Sequence, residues 1–336
     1  MADLSTTYMW LSLRNPLVAS ASPLSRTVDG VRALVAGGVG AVVLHSLFEE
    51  QLLEEAAANE ALVEAGTESF AESLSYFPPA TGEGGPRQYL SLLERASAAV
   101  DVPVIGSLNG VTPGGWTEYA RAMQDAGAAA IELNVYYIPG EPFSSGRDVE
   151  QRYVDILERV RSAVTVPVAI KLGPYFSSFG ELALRLDAAG VSALVLFNRF
   201  LQPEINLDKL TVEPHVGLSV PAESRLARTW IGLLHGRVKA SLAATTGVAA
   251  PADLAKYLLA GADVVMIASA LLRQGPEYAS VLLDGLSEWM VRKEFETLQD
   301  VRGLLAVPLG IDTAAYERAG YSSAVRDANR SAYEPD

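Results

Sequence analysis

The fold is decided by the stretch GVSALVLFN at residues 190–198, in which a glycine precedes a short apolar run that ends in a polar residue. The same arrangement follows Gly38, Gly127 and Gly261. A second phrase, beginning Val-Pro-Val or Val-Pro-Val-Ala, lies between these runs at residues 102–106 and 166–171. Continuous apolar runs separated by helical stretches are typical of strands buried on both faces of a parallel sheet. Their repetition predicts a closed barrel of repeated βα units.

The predicted fold class is therefore α/β, a (β/α)8 TIM barrel. Its eight strands are expected at residues 17–20, 41–46, 102–108, 129–135, 166–173, 193–200, 238–246 and 263–271. Helical spacing of apolar residues predicts helices at 91–100, 117–126, 149–164 and 179–188, and Pro251 is suited to open another.

No linker divides the chain, so one barrel domain is expected over residues 1–310, followed by a polar C-terminal tail at 311–336. The segment after the second strand, residues 48–89, is far longer than a usual βα connection. It is either a helix with a surface loop or a lid over the barrel mouth, and the lid is favoured because the segment leaves from the carboxyl end of a strand.

Composition excludes several classes of protein. The 336-residue chain has a formal net charge of −14, a pI of about 4.8 and no cysteine. An acidic chain binds polyanions poorly, so neither nucleic acid nor membrane is expected as a partner. Disulfides, thiolate nucleophiles and cysteine-bound clusters are excluded, and no His/carboxylate cluster has the spacing of a metal site. There is no signal-peptide pattern or membrane-spanning apolar run, so a cytoplasmic protein is expected.

Polar residues stand at the carboxyl ends of seven of the eight predicted strands. They include His45, Asn109, Asn134, Lys171, Asn198, Thr246 and Ser269. A single polar residue there often only caps a loop or helix, but barrels build their active sites at this face. Lys171 follows an apolar run, and a buried amine needs a partner such as an anionic ligand or the polar edge of a cofactor.

The turns after the last two strands suggest a phosphate site. Thr246-Gly247 precedes the helix opened by Pro251, and Ala268-Ser269 leads into a helical turn. Backbone N–H groups beside small side chains can hold phosphate, and barrels frequently bind it after strands seven and eight. The same small residues could instead serve packing.

Across most of its length the chain resembles the dihydroorotate dehydrogenase family of FMN-binding barrels. The resemblance rests on five segments in the family's order: Arg14 to Ala21, Glu132-Leu133-Asn134, Pro167 to Lys171, Gly261 to Leu271 with Gly275-Pro276, and Phe295 to Gly303.

The resemblance implies FMN as the cofactor and a small-molecule substrate. The flavin ring would meet Ala19, Ser20, Ala21, Asn134 and Lys171; the phosphate would meet Thr246, Gly247, Ala268 and Ser269; the substrate would meet Asn109, Asn134 and Asn198. A lysine at the ring edge would stabilise the negative charge of reduced flavin. Soluble relatives are homodimers, so the resemblance implies a homodimer. Because this chain has no cysteine, any iron–sulfur relay to an electron acceptor would belong to a separate protein.

The chain departs from the family in the phosphate turns, where a glycine expected near Ser219-Val220-Pro221 is replaced, in the lid and at the catalytic residues. Where members carry a Cys or Ser base, three residues after Asn134, this chain has Tyr137, preceded by Tyr136; His45 replaces the usual lysine after strand two. A tyrosine, with an ordinary pKa of about 10, is a better proton donor than acceptor at neutral pH. Tyr137, Tyr136, Lys171 and His45 are the catalytic candidates; the tyrosines could equally wall the pocket.

Three functions stay open from the sequence. The first is an FMN-dependent oxidoreductase acting on a CH–CH or C=C bond of a dihydroorotate- or dihydropyrimidine-like substrate. The second is a barrel lyase or isomerase of a phosphorylated metabolite without flavin, using Lys171 as an electrophile or Schiff-base amine. The third is a non-catalytic flavin-binding subunit of a redox complex.

Overall fold

The computed structural model describes residues 2–54, 85–112, 116–140, 142–199, 203–213 and 217–330. Most of the predicted lid, residues 55–84, lies outside the described residues, as does His215. None of the helices in the described ranges combines the length and apolar character needed to span a membrane.

Eight parallel strands close into a barrel within the described residues. In spatial order they are β3 (Leu17–Ala19), β4 (Ala41–Val43), β6 (Val104–Gly110), β7 (Ala130–Val135), β8 (Val168–Leu172), β9 (Ala193–Leu196), β12 (Ser241–Thr245) and β13 (Val264–Ile267), and β13 pairs again with β3. The pairing between β4 and β6 completes the ring, while β5 (Leu47–Phe48) extends the edge of β6. The predicted TIM barrel is confirmed.

Helices cover the outside of the barrel. They are α1 (Val28–Ala36), α2 (Pro86–Ala99), α3 (Trp116–Asp125), α4 (Gly146–Ala163), α5 (Phe179–Ala188), α6 (Ser224–Leu234), α7 (Pro251–Ala260), α8 (Ser269–Gln274), α9 (Tyr278–Arg292), α10 (Leu298–Val301) and α11 (Thr313–Arg330). Helix α5 shows why the spacing predicts them: Phe179, Leu182, Ala183 and Leu186 recur at helical intervals and are all buried.

The barrel interior is a separate apolar cluster made of small and branched side chains. Alternate strand residues point inward, because successive side chains of a strand face opposite sides. The inward set comprises Val18, Ala41, Val43, Ile105, Ala130, Ala169, Ala193, Val195, Ala243, Val264 and Met266. This alternation sets which polar residues at the strand ends face the barrel mouth.

An N-terminal hairpin closes the opposite end of the barrel. Strands β1 (Thr6–Tyr8) and β2 (Leu11–Leu13) are antiparallel and place Tyr8, Met9 and Leu13 in the inner cluster. The Met9 amide donates to Ser241 Oγ at 3.1 Å, at the start of β12. The sequence pattern did not predict this hairpin, nor the second one formed by β10 (Glu204–Asn206) and β11 (Thr211–Glu213).

Towards the end of the chain the structure differs from the predicted elements. The strand expected at 263–271 ends at Ile267, and helix α8 begins at Ser269; the buried Ala270 and Leu271 of that helix simply continue the apolar run of the strand. The polar tail, for which no structure was predicted, contains helix α11, whose described side chains are almost all exposed.

Candidate active site

A cavity of about 690 Å³ opens at the carboxyl ends of the barrel strands. It brings together eleven of the fourteen residues predicted for the site: Ser20, Ala21, Asn109, Asn134, Tyr136, Lys171, Asn198, Thr246, Gly247, Ala268 and Ser269. They meet because all parallel strands end at the same face of a barrel. The volume is within the range of small-molecule and cofactor sites.

A buried ion pair lies at the floor of this cavity. Lys171 Nζ is 3.8 Å from Glu132 Oε1, and both side chains are almost fully buried. Lys171 Nζ also donates to Ser20 Oγ at 3.4 Å. Burial raises the pKa of the Glu132 carboxyl, and the nearby Lys171 ammonium partly offsets that rise. The strand alternation explains the placement, since Glu132 and Lys171 each follow an inward-facing alanine by two residues, Ala130 and Ala169.

Polar side chains stand beside Lys171 in one layer. In the strand register Asn109 is paired with Asn134, and Asn134 with Lys171. The side-chain amide of Asn198 donates to Asn134 Oδ1 at 2.8 Å. Each amide offers both a donor and an acceptor, so this layer can bind the edges of a planar ring rich in N–H and C=O groups.

The far end of the cavity holds a network of hydroxyls and amides. Ser219 Oγ lies 3.0 Å from Ser269 Oγ and accepts from the Gly247 amide at 3.1 Å. Gly247 has a φ of +73°, and a Cβ on it would lie 2.7 Å from the Ser224 amide nitrogen. The Arg273 guanidinium donates to the Ser219 carbonyl at 2.9 Å, which adds positive charge here. These groups match the donors that hold phosphate at barrel ends.

The hydroxyl of Thr246, which was expected to contact the phosphate, is bonded to the backbone instead. It donates to the Phe197 carbonyl at 3.1 Å, and Thr246 has a φ of +81°. The side chain therefore fixes the turn next to Gly247.

Three predicted residues do not line this cavity. The side chain of Ala19 packs into the outer core. His45 is partly buried, and its ring contacts that of Tyr89 edge-to-face with centroids 5.1 Å apart. Burial lowers the pKa of His45, so the ring is neutral at pH 7. Tyr137 lines a neighbouring cavity of about 210 Å³, where the Arg152 guanidinium lies 4.2 Å from its ring centroid.

The sequence prediction missed several residues of the site. Glu132 was quoted for the resemblance alone, although a charged residue inside an apolar strand, two positions before Asn134, indicates an inward-facing acid. Ser219 was marked only as lying where a phosphate-side glycine of the family is replaced, and Arg273 lies on a short helix without a diagnostic pattern. Arg199, next to Asn198 in the chain, lines both cavities and pairs with Glu223 at 3.0 Å.

A sequence model of the family described as dihydroorotate dehydrogenase matches residues 66–290, about two thirds of the chain. The chain belongs to the dihydroorotate dehydrogenase family. The match confirms the resemblance expected from the sequence. Membership of this family makes the protein a dihydroorotate dehydrogenase-like oxidoreductase.

Curated relatives match almost end to end at modest identity. The chain is 28% identical over 309 residues to the dihydroorotate dehydrogenase B (NAD(+)) catalytic subunit of Methanothermobacter thermautotrophicus, covering 90% of this chain and 98% of the relative. The protein of the same description from Methanocella arvoryzae is 28% identical over 297 residues, covering 88% and 95%. That from Thermoplasma acidophilum is 26% identical over 309 residues, covering 90% and 99%.

Proposed function

We propose that this protein is an FMN-dependent oxidoreductase that transfers hydride between the flavin and an activated CH–CH or C=C bond of a dihydroorotate- or dihydropyrimidine-like substrate. The observation that carries the proposal is the composition of the 690 Å³ cavity. One end offers a lysine with a layer of asparagines, and the other offers the hydroxyls and amides around Ser219, Gly247 and Ser269.

The donor set fits FMN. A flavin mononucleotide has a ring edge of C=O and N–H groups at one end and a phosphate at the other. Asn134 and Lys171 suit the ring edge, and the small-residue turn at Gly247, with the hydroxyls of Ser219 and Ser269 beside it, suits the phosphate. The Arg273 guanidinium beside this turn supplies a charge of the right sign.

The residues around the proposed flavin site would have different roles. FMN, when bound, supplies two-electron hydride chemistry. The Lys171 ammonium would favour negative charge on the neighbouring ring edge, as a preorganised cation in a site of low dielectric constant. Asn109 and Asn198 would orient the substrate through their amides.

In this proposal the Tyr136 hydroxyl is the group that donates a proton to the substrate carbon. Tyr136 lines both the larger cavity and the neighbouring one, whereas Tyr137 lines only the neighbouring one. In the direction of C=C reduction, hydride adds to one carbon and the Tyr136 hydroxyl gives its proton to the adjacent carbon; solvent then returns a proton to the phenolate. A phenolic hydroxyl can donate its proton in this way as a general acid.

We also propose a homodimer that exchanges electrons with a separate acceptor protein. The chain contains no cysteine, so a cysteine-bound iron–sulfur relay would belong to another chain. The curated relatives are described as catalytic subunits, a description that agrees with a separate partner.

The first experiment is the visible absorption spectrum of the purified protein, with the released cofactor identified by mass. A yellow protein that releases FMN is expected. A colourless protein that does not take up added FMN would contradict the proposal and favour the barrel that acts on a phosphorylated metabolite.

The second experiment compares Tyr136→Phe with Tyr137→Phe. Loss of a general acid typically costs about 10²–10⁴-fold in turnover, so Tyr136→Phe should lose at least about a hundredfold while keeping its flavin. Tyr137→Phe is the matched control and should lose much less. Equal turnover of Tyr136→Phe and the unmodified protein would remove Tyr136 from the mechanism, and no turnover in any variant with any tested substrate would favour a non-catalytic flavin-binding subunit.

A further inference from the structure

A second cavity adjoins the proposed active site. It is about 210 Å³ in volume and lies between the loops that follow β7 and β8 and the start of α4. It shares Tyr136, Asn198 and Arg199 with the larger cavity as lining residues. A group attached to a ligand in the larger cavity could therefore extend into it. We call this cavity the side pocket.

The side pocket is lined mainly by aromatic and aliphatic side chains. Its lining includes Val135, Tyr136, Tyr137, Ile138, Tyr153 and Phe176. A cavity of about 150 Å³ with apolar walls accepts a molecule the size of benzene, so the side pocket has room for one phenyl-sized group.

Ring contacts hold the walls of the side pocket in place. Tyr153 packs edge-to-face on Phe176 with centroids 5.2 Å apart, and Phe176 contacts Phe179 at 6.0 Å. On the other wall the Arg152 guanidinium lies over the Tyr137 ring. A preformed apolar pocket binds an apolar group with little ordering cost.

The charges of the larger cavity do not favour an additional anion beside the cofactor. Its two lining cations in the described residues are both paired, Lys171 with Glu132 at 3.8 Å and Arg199 with Glu223 at 3.0 Å. His45, where the family usually has lysine, has a lowered pKa and does not replace that charge at pH 7. The sequence that the structure leaves undescribed contains no lysine or arginine. Moving a substrate carboxylate from water into this cavity would cost free energy, and no unpaired lining cation in the described residues would offset that cost.

We propose that the substrate is a neutral cyclic amide or imide whose apolar substituent, about the size of a phenyl group, occupies the side pocket. Its ring edge binds the amides of Asn109, Asn134 and Asn198, and the side pocket determines specificity. This inference rests on the proposed function, because it places the substrate ring beside FMN.

The test is a series of oxidised pyrimidines that differ at one ring position: uracil with hydrogen, orotate with a carboxylate, and 6-phenyluracil with a phenyl group. They are titrated into the FMN-loaded protein in its oxidised state, and dissociation constants are measured by calorimetry and by the change in the flavin spectrum. One methylene group in an apolar pocket is worth about 10-fold or more in discrimination. 6-Phenyluracil should therefore bind at least about tenfold more tightly than uracil, and orotate no more tightly than uracil.

A variant that fills the side pocket locates the effect. Gly173 lines the side pocket, and a Cβ there would have no atom within 4 Å. Gly173→Leu should reduce the ratio of uracil to 6-phenyluracil dissociation constants by about tenfold. Gly320→Ala, in the exposed helix α11, is the control and should keep the ratio of the unmodified protein.

The outcomes separate this inference from the proposed function. If the protein holds FMN but binds orotate more tightly than uracil, or 6-phenyluracil no more tightly than uracil, the inference is overturned and the proposed function stands. A preference for 6-phenyluracil that Gly173→Leu leaves unchanged also overturns it, because the phenyl group then lies elsewhere. A protein that cannot hold FMN overturns the proposed function and this inference with it.

Discussion

Lys171 and Glu132 make the barrel mouth sensitive to single substitutions. Removing one member of a buried ion pair leaves the other charge uncompensated, whereas replacing both is often neutral. Neither carboxylate oxygen of Glu132 has a hydrogen-bond partner in the described residues, so Lys171 is the main group that offsets its burial. The pair therefore ties the stability of the barrel to the residue proposed to contact the flavin.

Lys171→Met should destabilise the protein by about 3 kcal/mol near neutral pH. The pKa of Glu132 is already raised by burial, and loss of the ammonium removes the influence that lowers it. A carboxyl whose folded-state pKa lies above its unfolded value loses stability as pH rises between the two values. The cost should therefore be larger at pH 8 than at pH 5, as measured by urea unfolding.

The double variant Lys171→Met with Glu132→Gln is the control for that experiment. It should recover most of the lost stability, because no charge is then left buried without a partner. A double variant no more stable than the single one, or a cost that does not change with pH, would contradict the proposed electrostatic origin.

The stability contributed by His45 depends on pH in the opposite direction to that of Glu132. Its folded-state pKa is lowered from the ordinary value of 6.5, chiefly by burial. The resulting stability is complete above pH 6.5 and is lost as pH falls through the lowered pKa, because the unfolded chain takes up the proton more readily. His45→Gln should therefore lose less stability than the unmodified protein between pH 7 and pH 5. Parallel urea-unfolding curves for the two proteins at both pH values would argue against burial of a neutral imidazole.

At the scale of elements, the sequence pattern predicts those parts whose side chains alternate or recur regularly. Helix α5 was predicted with its observed bounds because its buried residues follow the helical period over the whole segment. Most strands were predicted longer than observed, since apolar residues continue beyond the last ladder hydrogen bond, as after Ile267. The hairpins were missed because their strands are three residues long.

The same reasoning explains which site residues could be predicted. Asn134 and Lys171 end regular parallel strands, and their register places them side by side. Tyr136 and Tyr137 follow the end of β7, where alternation no longer determines direction; only the structure shows that Tyr136 reaches the larger cavity and Tyr137 does not. Ser219 reaches the site through a loop with no periodic pattern.

The backbone of the turn after β12 restricts substitution strongly. Gly247 has a φ of +73°, and a Cβ would lie 2.7 Å from the Ser224 amide nitrogen and 2.9 Å from the Val220 carbonyl oxygen. Gly247→Ala should therefore cost about 1–3 kcal/mol of stability and weaken FMN binding at least about tenfold, as measured by urea unfolding and flavin titration.

Gly320→Ala is a suitable control for the Gly247 variant. Gly320 lies in α11 with no atom within 4 Å of an added Cβ, so the change should raise helix stability by up to about 1 kcal/mol and leave FMN binding unchanged. Wild-type FMN affinity in Gly247→Ala would show that this turn does not hold the phosphate.

At the scale of the whole molecule, the end of the barrel opposite the cavity is closed by Tyr8, a side chain whose hydroxyl forms no hydrogen bond within the described residues. Tyr8 of the N-terminal hairpin is fully buried in the inner cluster, and its hydroxyl has no hydrogen-bond partner in the described residues. Tyr89 on α2 is also buried, but its hydroxyl accepts from the Ser107 amide at 2.8 Å and so fixes α2 against β6. The hydroxyl group of Tyr8 is therefore expected to lower the stability of the protein, and that of Tyr89 to raise it.

Tyr8→Phe should stabilise the protein by about 1 kcal/mol, because it removes a buried hydroxyl that lost its bonds to water without replacing them. Tyr89→Phe should destabilise it by about 1–3 kcal/mol, because it leaves the Ser107 amide without its acceptor. The substitutions delete one oxygen each and leave the rings, so cavity effects are matched. Urea unfolding of both variants at one pH measures the difference; a Tyr8→Phe protein as destabilised as Tyr89→Phe would mean that the hydroxyl at the barrel floor is hydrogen-bonded and that the hairpin closes the barrel by polar contacts as well as apolar packing.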